Sequence, residues 1–141
     1  MSTARDGTFK TLGVLLGLAL VWSHASAAQS ACNPDQLIPP PERRITSQGE
    51  WDAHVRNIVH NDSPLSHLPP FARKQFVRRV NFNERGLTGL SFDVLEQELT
   101  LSQAYRVLAL GGAEGYIRLL KNIRIDTALD RQLRSCLNTA N

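Results

Sequence analysis

The sequence is poor in the residues from which small specialised folds are built. Aromatics make up 6% of its 141 residues and only two are cysteine, so a disulfide-dense scaffold is excluded, while 42% hydrophobic residues exclude a disordered chain. Charge is nearly balanced. Sixteen Lys and Arg face 13 Asp and Glu for a formal net charge of +3, and the pI of 9.2 owes part of its value to the first residues of the chain. No nucleic-acid partner is expected from that balance. The signatures of common chemistries are missing too: no G-x-S-x-G, P-loop, G-x-G-x-x-G or H-E-x-x-H occurs, which removes the usual serine-hydrolase, nucleotide and metalloprotease motifs.

Long apolar runs are also lacking. The run Thr11–Trp22 has 12 residues, well short of the ~20 that cross a bilayer. Preceded by Arg5 and Lys10 and followed by Ala25-Ser26-Ala27, it has the form of a signal peptide over residues 1–28, cleaved near Ala28 or Gln29. The mature chain is therefore expected in the periplasm or secreted, with no transmembrane span. Twelve of its 14 basic residues are Arg, a weak pointer to a GC-rich bacterial source. Gln29-Ser30-Ala31-Cys32 partly resembles a lipoprotein box, but Gln29 stands where an aliphatic residue belongs. The two cysteines, Cys32 and Cys136, lie near the ends of the mature chain and are expected to pair in an oxidising compartment.

Residues 29–46 read as a proline-rich extended arm, because Asn33–Arg44 holds four prolines that cannot sit in a helix interior. Residues 47–141 read as a helical domain. Ser47-Gln48-Gly49-Glu50 forms a capping box before Trp51, Val55, Ile58 and Val59, predicting a helix over 48–60. Pro70 opens a second helix with Ala72, Phe76, Val77 and Val80 on one side. Asn81–Leu90 reads as an ordered turn. Ser91 and Thr100 start two further helices, the second apolar on most sides and stopped by Gly111-Gly112. A stripe of Tyr116, Leu119, Leu120 and Ile123 follows, then a last helix with Leu129, Leu133, Cys136 and Leu137 on one face. The expected fold class is all-α, a compact orthogonal bundle of five or six short helices.

Candidate chemistry is sparse. His54, His60 and His67 do not share a helix face, so neither a metal site nor a cofactor is expected. Glu84, Asp93, Glu96 and Glu98 offer carboxylates for acid/base work, but helix-dipole and surface roles account for them better. The most uneven charge lies at Pro70–Arg85, where Arg73, Lys74, Arg78, Arg79 and Arg85 face Glu84 alone. Lys74 and Arg78 should face solvent and, with Arg79 flanking them, form the binding surface, while Arg73 leans toward the apolar side. The leading reading is a small exported non-enzymatic binding protein, inhibitor- or immunity-like or an accessory factor, that meets an envelope protein or anionic surface. The alternatives are a small acid/base hydrolase of envelope material and a lipid-anchored envelope component.

Overall fold

The computed structural model describes residues 32–139. The expected signal segment, its expected cleavage site and the first residues of the expected arm lie outside that range. Within it, six α-helices and two 3-10 helices gather around one core, with a β-hairpin between the third and fourth α-helices. No helix among the described residues is long and apolar enough to cross a membrane.

A disulfide between Cys32 and Cys136 fastens the beginning of this region to its last helix, with Cα atoms 5.3 Å apart. Its sulfur being committed there, Cys32 has no thiol to carry an acyl chain. The arm that follows is only partly extended. Asn33 Oδ1 accepts the Asp35 N–H at 3.0 Å and Pro34 takes the first helical position, closing a single turn, α1 (Pro34–Leu37), ahead of Pro39-Pro40-Pro41. Ile38 and Ile45 are buried, and the Ile45 N–H donates to the Leu110 carbonyl at 2.7 Å. The arm is thus anchored to the core at Ile38 and Ile45, with largely exposed residues between them.

The Ser47 cap forms as its spacing predicts, accepting the Glu50 N–H at 3.2 Å to start α2 (Gln48–Arg56). The Glu50 carboxylate reaches one residue further back than a standard box, to the Thr46 N–H at 2.8 Å. The helix ends four residues before the predicted boundary at 60. Asn57 donates to the His54 carbonyl, three residues back, and this tighter turn shifts the phase, so Val59 stands 85% exposed instead of joining Trp51 in the core.

A 3-10 helix at Pro64–His67 leads to α3 (Pro70–Arg79). The all-α assignment then requires correction: β1 (Asn81–Asn83) and β2 (Gly86–Gly89) pair antiparallel, with Phe82 opposite Leu87. Gly86, at φ 113°, supplies the reversal, and Asn83 Oδ1 accepts the Arg85 N–H at 2.7 Å within it. Strands of three and four residues are too short to show an alternating pattern in sequence.

α4 (Phe92–Glu98) and α5 (Leu101–Leu110) meet at Thr100, whose N–H donates to Gln103 Oε1 at 3.0 Å. α5 is the central helix, with eight of its ten residues buried. The stripe expected after it is corrected in half its members. Glu114–Leu119 is 3-10, so residues three apart eclipse. Ile117, Leu120 and Ile123 point inward, whereas Tyr116 and Leu119 are 56% and 55% exposed. α6 (Ala128–Thr139) buries Leu133, Cys136 and Leu137 as its spacing predicts.

Candidate functional site

The candidate surface is the outer side of α3, and the helix phase explains its composition. Ala72 and Phe76 are buried and Val77 half-buried, with Val80 closing the inward side just past the last turn. At 100° per residue, Phe71, Lys74, Gln75 and Arg78 then fall together on the opposite side. All four are exposed, Phe71 at 74%. No cap side chain serves the first turn, where Pro69 stands. At the other end Arg78 and Arg79 occupy the last turn, where the carbonyl dipoles favour positive charge.

The three basic residues singled out by charge do not share one environment. Lys74 and Arg78 carry no ion pair or side-chain hydrogen bond among the described residues, which leaves their charges available. Arg79 is engaged. Its Nη1 donates to Ser91 Oγ at 3.3 Å and lies 3.8 Å from Asp93 Oδ2, tying α3 to the start of α4. All three are exposed, and of the three Lys74 and Arg78 lack a side-chain partner among the described residues. Arg73 is half-buried, leaning toward the core.

Phe71 is the member that sequence reasoning passed over. The signal was available: positions 71, 74, 75 and 78 recur at helical spacing and exclude the apolar stripe of 72 and 76. Phe71 is the one large exposed hydrophobic of α3, and it sets an apolar group beside the two charges.

Among the other candidates, His54 takes a structural role. His54 stacks on Trp51 with ring centroids 6.3 Å apart, and its Nε2 lies 2.7 Å from Ser63 Oγ. Burial holds the His54 pKa below its ordinary value, so the neutral ring shares one hydrogen bond with the Ser63 hydroxyl. That hydroxyl oxygen also accepts the Leu65 N–H at 3.2 Å, capping the 3-10 turn. Ser63 is 1% exposed, so the pair is spent on the turn and does not present a nucleophile. Among the carboxylates, Asp93 partners Arg79 and Glu84 projects into solvent. No group of three or more His, Cys, Asp or Glu able to hold a metal occurs among the described residues.

Comparison with protein-family models, curated proteins and solved structures gives no match to this chain. The chemistry of the α3 face is accordingly read from its own residues.

Proposed function

We propose that the protein is an exported, non-enzymatic binding protein that engages an acidic partner protein of the cell envelope through the outer side of α3. The observation that carries this reading is the grouping of an exposed Phe71 with the unpaired Lys74 and Arg78 on one helix side. Phe71 supplies the apolar anchor, and burying a phenyl ring stabilises a complex by about 1.5–3 kcal/mol. Lys74 and Arg78 flank it and select a partner of opposite charge, raising the association rate and disfavouring basic surfaces. The Arg78 guanidinium has a planar fork suited to a carboxylate, whereas the Lys74 ammonium acts as a point charge.

The remaining observations agree with this role. The Cys32–Cys136 disulfide suits an oxidising compartment outside the cytoplasm. α3 is packed on the core through Ala72 and Phe76, so the surface is presented on a fixed element instead of a loop. An inhibitor, an immunity-like protein or an accessory factor would each use such a face.

A photo-crosslinking residue at Gln75, in the middle of the face, tests the proposal in the native envelope fraction. A stoichiometric protein adduct that disappears in the Lys74→Glu/Arg78→Glu variant is expected. An adduct that forms equally in the charge-reversed protein would overturn it.

A further inference from the structure

A second region, formed by elements other than α3, has the features of a small-molecule site. The arm after α1, the 3-10 turn at Pro64–His67 and α5 enclose a cleft of about 390 Å³. That volume is in the lower part of the ~300–1,000 Å³ range typical of ligand pockets. Ile38 and Leu110 give it an apolar floor, and Pro39, Pro41 and Pro64 give it walls whose backbone φ angles are fixed. A ligand would find those walls already in place, which lowers the ordering cost of binding.

Three ionisable side chains open into this apolar cleft: Arg106 from α5, His67 from the 3-10 turn and Asp62 from the loop before it. Asp62 pairs with neither Arg106 nor His67, and none of the three has another side-chain partner among the described residues. Asp62 and Arg106, both exposed, thus bring opposite charges to the same cleft without pairing with each other. Asp62 also has φ 47°, making it the single non-glycine residue with positive φ among the described residues. The conformation closes the turn after α2, where the Ser63 N–H donates to the Ile58 carbonyl at 3.1 Å and the Asp62 N–H to the Val59 carbonyl at 3.4 Å, and it sets the Asp62 backbone beside the cleft.

From this arrangement we infer that the cleft binds a small zwitterion with an apolar side chain, an α-amino acid or a dipeptide. The ligand carboxylate meets the Arg106 fork, with His67 as a second donor, and its ammonium meets the Asp62 carboxylate. The apolar side chain lies on Ile38 and Leu110. A simple carboxylate would leave Asp62 without a partner, whereas a zwitterion offers a group to each charge.

Calorimetric titration of the disulfide-bonded protein with L-leucyl-L-leucine tests this, alongside its C-terminal amide, its N-acetyl form and free L-leucine. Saturable binding of the dipeptide or of leucine is expected, and which of the two binds more tightly identifies the size of ligand. The amide and the N-acetyl form should each bind at least about tenfold more weakly, a loss of about 1.4 kcal/mol. Arg106→Gln and Asp62→Asn should weaken the zwitterion by a similar factor, with melting temperatures unchanged, since Arg106 is exposed and Asn also accepts a left-handed backbone. If neither zwitterion binds saturably, if either blocked form binds as well as its parent, or if both variants bind like the wild type, the inference is overturned.

Discussion

Asp130 Oδ1 accepts the Ser102 N–H at 2.7 Å across 28 positions of sequence, while its Oδ2 accepts the Asp126 and Thr127 N–H groups at 3.0 and 2.9 Å. One carboxylate therefore caps α5 and α6 together. Thr127 returns the favour by accepting the Asp130 N–H at 3.1 Å. Burial alone would raise the Asp130 pKa, but the Ser102 hydroxyl and the backbone donors of Ser102, Thr127 and Asp126 outweigh it and hold the group well below the ordinary 3.8. Neutral Asp130→Asn turns amide hydrogens toward these donors, and a loss of about 3 kcal/mol is expected in urea unfolding at neutral pH. A loss below about 1 kcal/mol would show that the double cap contributes little.

The disulfide closes 104 residues of chain. Replacing both Cys32 and Cys136 with Ser should cost about 2–5 kcal/mol, chiefly by releasing the unfolded chain. Thermal melts of the double variant, set beside the wild type with and without reductant, check it. Reduced wild type and the variant should melt together.

Acid should destabilise the fold in two separate windows. His54 has a folded pKa below the ordinary 6.5 because burial disfavours the charged ring. The unfolded chain binds that proton more readily, so the His54 contribution is complete above pH 6.5 and falls as pH drops toward the folded value. Asp130 follows the same sign lower down, losing its contribution below the ordinary 3.8. The urea midpoint of His54→Gln should be flat across the first window and keep the second. Tyr105 behaves oppositely: burial and the hydrogen bond to Asp35 push its pKa from 10.0 up to about 12. Its contribution is present below pH 10 and is lost as pH rises toward about 12.

Core truncations separate the inward from the outward residues of the segment after α5. Leu108→Ala and Leu120→Ala, both at 1% exposure or less, should each cost about 2–5 kcal/mol. Tyr116→Ser and Leu119→Ser should cost under about 1 kcal/mol, since both side chains stand largely in water. Equal losses at Leu119 and Leu120 would contradict the 3-10 geometry.

These contrasts mark where the sequence was legible. Positions 72 and 76 in α3, with 80 just past its end, and 133, 136 and 137 in α6 were read correctly because each helix keeps a 3.6-residue period for two turns or more. The reading slipped at Val59, Tyr116 and Leu119, where the chain tightens to three residues per turn and a helical wheel assigns the wrong side. The hairpin at residues 81–89 was too short for a period to emerge, leaving Gly86 as its one local sign. Within the candidate site, charge singled out Lys74 and Arg78. Two things escaped it: Phe71, which carries no charge, and the capture of Arg79 by Ser91 and Asp93, a contact between separate helices.

The affinity of the disulfide-bonded protein for its crosslinked partner, measured at low and high salt beside Lys74→Glu/Arg78→Glu and Phe71→Ser, tests the central claim most directly. The charge reversal should weaken binding by more than about tenfold at low salt, with the gap narrowing as salt screens the surface charges. Phe71→Ser should weaken binding by a factor that salt leaves nearly constant, and all three proteins should melt alike. Affinities that match the wild type at both salt concentrations would contradict the assignment of α3 as the binding face.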